Sequence, residues 1–278
     1  MKCVFTVDVE DWFHILDTPA APSVEAWESL PSIVEKNTHR LLDVFDEFGI
    51  TATFYFLGWI AGKYPQLVKD VHARGHEVAS HGYCHRLVYT MSRDEFVEDT
   101  KKTKAMLEDC IGEKVRGYRA AGFSATNDIP WFFDVLAEAG YEHDSSVFPA
   151  ARAHGGQARG RREPHRISTQ NGSIWEFPIS VAPIFGKPIC LFGGGYFRLF
   201  PYWMIRQYGN EVLADERPIV FYLHPRELDR DAPRLAMPLY RRFKSYVNLS
   251  GVDAKLRRLL TDFEFTTIPE LMAEYNHE

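Results

Sequence analysis

The segment Thr6-Val7-Asp8-Val9-Glu10-Asp11-Trp12-Phe13-His14 sets three carboxylates within four positions at the end of an apolar run, with a histidine close behind. Acids crowded in this way either punctuate a solvated turn or act together in metal binding and proton transfer. His81 and His85 stand four residues apart, a spacing that offers two imidazoles to one divalent ion if the chain between them turns helically. A carboxylate from a neighbouring strand end would complete a set of two histidines and one acid, leaving positions open for water and substrate. That set suits a hydrolytic metal centre and equally an iron oxygenase triad, so the residues alone do not choose the ion. Arg119 in "GYRAAGFS" and His224 in "IVFYLHP" fall at the ends of further candidate strands, and Asp144 in "YEHDSS" follows a candidate helix.

These groups need elements to hold them, and the chain supplies a regular alternation. "CVFTV" predicts a buried strand ending at Asp8, and "SIVEKNTHRLLDVFDEFG" an amphipathic helix with Gly49 as its stop. "TATFYFL", "HEVASH" and "VRGYRAA" predict strands two to four. "PQLVKDVHARG", "SRDEFVEDTKKTKAMLEDCIG" and "DIPWFFDVLAEAGY" predict helices, the second opened by a Ser92/Glu95 capping box. "SIWEFPISVA", "PIVFYLHP" and "FTTIPELMAEY" supply later strands and a terminal helix. Such alternation implies a mostly parallel sheet with helical crossovers, closed into a barrel, with its chemistry at the C-terminal strand ends. Residues 150–172 break the rhythm; rich in Arg, Gly and His (Arg152, Arg159, Arg161, Arg162 and Arg166 among them), they read as one long surface loop.

Composition narrows the function classes. With 278 residues, 45% of them hydrophobic, the chain can bury a large core, and it reads as one domain over residues 1–278. A formal net charge of −6 gives no reason to expect nucleic acid as partner. Cys3, Cys84, Cys110 and Cys190 lack CxxC spacing and suit reduced thiols, which points to a cytoplasmic protein. The N-terminal apolar run is too short for a secretory leader, and no run reaches the roughly 18 apolar residues of a membrane span.

Taken in order, these motifs resemble those of the NodB-type polysaccharide deacetylases, carbohydrate esterase family 4, over nearly the whole chain. Thr6–Asp11 matches that family's TFDDG motif, His81-Gly82-Tyr83-Cys84-His85 its H[ST]xxH, and Leu223-His224 its last motif. Arg119-Ala120-Ala121-Gly122 matches RxPY only in the arginine. "TVDVEDWFH" and "HGYCHRLVY" are closest to the branch found with bacterial exopolysaccharide gene clusters. The resemblance implies a distorted (β/α)7 barrel and metal-dependent removal of acetyl from an N-acetylated sugar. It also implies roles: Asp8 as general base, Arg119 pairing with it, His224 as general acid, and Glu10, His81 and His85 as metal ligands. Asp11 is the alternative ligand or a support behind it. Zinc is the expected ion, with cobalt or nickel also accommodated. Gly122 falls where a backbone N–H would meet the developing oxyanion. Trp12, His14, Asp144, Tyr196 and Phe197 are expected around the substrate, an N-acetylated oligo- or polysaccharide. Two rival readings are a cyclic amide or ureide hydrolase on the same barrel and a catalytically silent carbohydrate-binding member. Survival of base, ligands, arginine and acid weighs against both.

Overall fold

The computed structural model describes residues 2–16, 18–151, 155–184 and 186–276. Its strands among those residues are β1 (Cys3–Val9), β2 (Thr53–Phe56), β3 (Glu77–Ser80), β4 (Gly117–Tyr118), β5 (His143–Asp144) and β6 (His165–Thr169). They continue with β7 (Gly172–Glu176), β8 (Ala182–Ile184), β9 (Lys187–Ile189), β10 (Val220–Leu223) and β11 (Phe265–Thr266). The helices are α1 (Val34–Phe48), α2 (Gly58–Lys63), α3 (Pro65–Ala73), α4 (Arg93–Ile111) and α5 (Phe132–Glu138). After the β8–β9 hairpin come α6 (Gly194–Leu199), α7 (Tyr202–Ala214), α8 (Leu239–Tyr246), α9 (Val252–Asp262) and α10 (Ile268–Asn276).

One sheet runs in the order β10-β1-β2-β3-β4-β5-β7-β6, with β11 also beside β1. Seven of these strands, β10 through β7, are mutually parallel, and β6 returns antiparallel along β7. β7 and β10 share no ladder; the segment after β7 reaches β10 through Ser180, whose Oγ accepts the Val220 N–H at 2.8 Å. The result is a distorted, incompletely closed (β/α)7 barrel, as the sequence led us to expect. α1 ends at Gly49 in the left-handed conformation (φ 63°), and α4 opens with the Ser92/Glu95 capping box.

The loop expected over 150–172 is shorter than that. Its last third pairs: Ile167 lies opposite Ile174 in the β6–β7 hairpin, and Arg166 stacks over Trp175, 5.1 Å from the ring. An edge strand needs only one apolar contact row, so its Arg- and Ser-rich partner row resembled loop composition. Arg152 lies outside the described residues.

Strand parity divides the core. Cys3, Phe5, Val7 and Val9 of β1, Phe54 and Phe56 of β2, and Phe221 and Leu223 of β10 pack toward the helices. Val4, Tyr55, Ala79, Val220 and Tyr222 form a second cluster inside the barrel. Successive side chains alternate between faces, so any residue an even step from Val4, Ala79 or Val220 also turns inward. Asp8, His81 and His224 satisfy that rule at the strand ends.

Candidate metal and acid–base site

Asp8 is the last inward residue of β1 and is almost wholly buried. Its Oδ1 accepts from Arg119 Nη1 at 2.7 Å. Arg119, fully buried just past β4, also donates to Thr6 Oγ1 and to the carbonyl and hydroxyl of Ser145, and its guanidinium lies 4.2 Å over the Tyr55 ring. A side chain with this many partners has one orientation. Burial alone would raise the Asp8 pKa, but Arg119, His81 and His224 together outweigh it and hold the carboxyl below its usual range.

Glu10 follows on the same parity and reaches the centre of the cleft. Its Oε1 lies 2.9 Å from His85 Nε2 and 3.5 Å from each Nε2 of His81 and His224, while Arg226 donates to Oε2 at 2.5 Å. Burial again acts upward, and His85, Arg226 and His224 draw the pKa well below its ordinary value. His81 Nδ1 donates to the Arg119 carbonyl at 2.7 Å, which fixes the tautomer and turns the Nε2 lone pair toward Glu10.

The His81–His85 segment is not helical as the spacing suggested. It is a bend in which Gly82 (φ 73°) and His85 (φ 54°) both adopt left-handed backbone, and this folds the second imidazole back beside the first, with ring centroids 5.2 Å apart. The Tyr83 N–H, bonded to both oxygens of Asp99, holds the bend. Strain accepted at a buried polar centre is characteristic of functional sites.

Glu10, His81 and His85 each turn one ligand atom into a common space, all within 4.8 Å of one another. His81 Nε2 and His85 Nε2 are buried and make no well-aligned hydrogen bond to any described residue. Two unpaired imidazole nitrogens facing an ionised carboxylate make a cradle that fits a divalent cation with nitrogen and oxygen preference.

Asp11 takes no part in that cradle. With odd parity it points the other way, accepting from Ser32 Oγ at 2.5 Å and from the Trp12 and Ile33 N–H groups, so it fastens the loop to the start of α1. Burial prevails over these bonds and raises its pKa, the reverse of Glu10.

On the far side of Glu10, His224 sits one residue beyond β10. Its Nε2 is 3.9 Å from Asp8 Oδ2, and its Nδ1 is 2.7 Å from Glu227 Oε1. Glu227 also accepts from the His224 N–H and from Arg198 of α6. Burial leads in lowering the His224 pKa, against the pull of Glu10 and Asp8. Glu227, Arg198 and Arg226 were not anticipated from sequence. The first and last lie on a short 3-10 turn after Pro225, where a Pro-Arg-Glu-Leu run reads as an ordinary cap.

A cavity of about 670 Å³ opens onto these groups. Asp8, Glu10, His85, His224, Trp12, His14, Gly122 and Tyr196 line it, as expected for a cleft wall. His14 Nδ1 accepts the Asp11 N–H, which leaves a buried Nε2–H without a partner among the described residues. Two expectations fail. Phe197 is fully buried against Phe221 on the helix side of β10, because the glycine-led α6 turns Tyr196 outward and its neighbour inward. Asp144 is wholly buried away from the cavity, bonded to the N–H and hydroxyl of Ser146, and lies beside Glu176, its register partner on β7, where burial raises the pKa of both.

Residues 25–143 match the family model described as "Polysaccharide deacetylase", and residues 145–273 match a domain of unknown function, DUF3473. The site joins both regions with the unmatched N-terminal strand: Asp8 and Glu10 precede the first, His81, His85 and Arg119 lie within it, and His224 lies in the second. A peptidoglycan-N-acetylglucosamine deacetylase from Bacillus cereus is 30% identical over 95 residues, 34% of this chain and 34% of that protein. A chitooligosaccharide deacetylase from Rhizobium leguminosarum bv. trifolii is 32% identical over 101 residues, 36% of this chain and 44% of that protein. The chain thus spans between a third and just under half the length of these curated relatives. Among solved structures, Puue allantoinase superposes with a TM-score of 0.65 at 15% identity, over 99% of this chain and 89% of that one, a likeness of fold. Over residues 25–143, then, the chain is similar to the polysaccharide deacetylases, and over nearly its whole length it shares their barrel fold with solved structures of low identity.

Proposed function

We infer that the protein is a metal-dependent hydrolase that removes acetyl from an N-acetylated sugar of an oligo- or polysaccharide. What carries this reading is the convergence of Glu10, His81 and His85 within 4.8 Å beside the paired Asp8 and Arg119. A divalent ion held by those three side chains, zinc being the expected one, supplies Lewis-acid polarisation of the amide carbonyl and a more acidic water. The rest is work for the chain's own residues. Asp8, kept ionised by Arg119, accepts the proton of the attacking water. His224 delivers a proton from Nε2 to the departing nitrogen, while Glu227 on Nδ1 holds the ring in place and stabilises its charged form. His14, at the cavity wall, helps to shape the space that receives the sugar. The relatives named for peptidoglycan N-acetylglucosamine and chitooligosaccharide support a glucosamine-type sugar as substrate class. Placement in exopolysaccharide synthesis and cytoplasmic residence belong to the same proposal, the latter supported by four scattered cysteines without CxxC spacing.

The test is acetate release from N-acetylglucosamine oligomers by protein stripped with chelator and then reloaded with zinc, cobalt or nickel. Release that vanishes on stripping and returns on loading is the expected result. No release under any loading, with intact fold, would refute the proposal.

A further inference from the structure

Helix α8 (Leu239–Tyr246) buries none of its residues, although it carries Leu239, Tyr240 and Phe243, which are 82%, 66% and 55% exposed. Amphipathic helices on globular proteins normally turn their apolar stripe to the core. This one is fastened by polar contacts instead, Arg241 donating to the Leu16 carbonyl and Tyr246 Oη accepting the Leu235 N–H. Arg198 of α6 donates to the carbonyls of Lys244, Ser245 and Val247, so a buried guanidinium closes the helix's C-terminal end. Leu239 and Tyr240 are left facing outward.

Charge is organised on the same stretch. Between Asp231 and Asp253 the chain carries Arg234, Arg241, Arg242 and Lys244 and no acid, within a protein of formal net charge −6. The apolar surface also runs into the catalytic cavity. Leu199, itself 45% exposed, Ile189, Phe243, Tyr246 and Val247 line it together with Asp8, Glu10 and His224. A cluster of exposed apolar and aromatic side chains edged by basic ones, at the mouth of a substrate cavity, fits an interface of one kind.

We propose that α8 docks this protein on an anionic lipid surface, with the cavity mouth set at the headgroup level. Leu239, Tyr240 and Phe243 enter the interface, and Arg242 and Lys244 meet lipid phosphates. Saccharide held at a membrane surface would then reach Asp8 and His224 without first diffusing into bulk water. The docking surface stands independently of the deacetylase reading, because its test is binding rather than turnover.

Vesicles of phosphatidylcholine, with and without about one-third phosphatidylglycerol, serve as probes in a flotation assay at low and physiological salt. The full chain is expected to float with the anionic vesicles, less so as salt rises, and to remain behind with the neutral ones. Arg242→Glu should weaken partition about fivefold per unit of charge changed. Leu239→Ser with Tyr240→Ser should weaken it at least about tenfold. None of these three residues lines the cavity, so release of acetate from a soluble oligosaccharide should be unchanged in each variant. Three results would overturn the proposal: no binding to anionic vesicles, binding indifferent to these substitutions, or a dimer in light scattering that the Leu239/Tyr240 variant dissociates.

Discussion

Two pairs of carboxylates lie buried in this barrel, and they have opposite fates. Asp8 and Glu10 are held below their ordinary pKa values, whereas Asp144 and Glu176 are pushed up. Burial pushes all four upward, so desolvation does not distinguish them. Neighbours do. Around Asp8 and Glu10 stand Arg119, Arg226, His81, His85 and His224. Asp144 and Glu176 receive mainly hydroxyl and backbone N–H donors, from Ser146 and Val147, with Arg119 acting only at a distance. Ionisation inside a protein needs cations or a metal, and the pair that has them is the pair able to accept a proton or hold an ion.

This contrast can be tested from its strongest consequence downward. Glu10→Gln removes the charged member of the cradle. Metal affinity, measured by competition with a chromophoric chelator, should fall by more than the 10- to about 100-fold that loss of an outer partner costs, and acetate release should fall with it.

Glu176→Gln tests the other pair. A carboxyl whose folded pKa lies above its unfolded value keeps a proton that the unfolded chain gives up. Its stabilising contribution is full below the ordinary value of 4.5 and declines as pH rises towards the folded value. The glutamine can donate to Asp144 and accept from Val147 without titrating. The difference in Tm, variant minus wild type, should therefore grow between about pH 5 and pH 8. A gap that shrinks over that range would mean Glu176 is ionised.

Asp11→Ala should produce the smallest change. It leaves Ser32 and the Ile33 N–H short of an acceptor, a cost of about 1–3 kcal/mol in denaturant unfolding, while bound metal stays at the wild-type level. Loss of metal in this variant would reassign the ligand.

Much of this site could be read from the chain because strand alternation carries it. Asp8, Glu10, His81, Arg119 and His224 stand at strand ends with inward parity, and their order along the sequence is their order around the barrel. Parity also separates Glu10 from Asp11, which the composition of the segment leaves equivalent. What sequence did not reveal comes from outside that alternation. Arg198 reaches Glu227 from α6 and Arg226 reaches Glu10 from the turn after β10, contacts that only tertiary packing makes, whereas Glu227 meets His224 locally as a cap partner three residues on. Phe197 and Asp144 misled because a residue after glycines and a residue at a strand end resemble cleft residues until their face is known. Strand β6 was hidden by its polar row, Arg166 and Ser168, which resembled the loop before it. Helix α7 lies between motifs and α8 and α9 follow the last one, where nothing in the catalytic pattern called for them.

The central claim is a division of labour between Asp8 as base and Glu10 as ligand. Asp8→Asn tests it most directly, with bound metal and acetate release measured on the same preparation. The account predicts metal content like that of the wild type and acetate release lower by about 10²- to 10⁴-fold, the span that a positioned proton acceptor contributes. Undiminished acetate release from metal-loaded Asp8→Asn would contradict it.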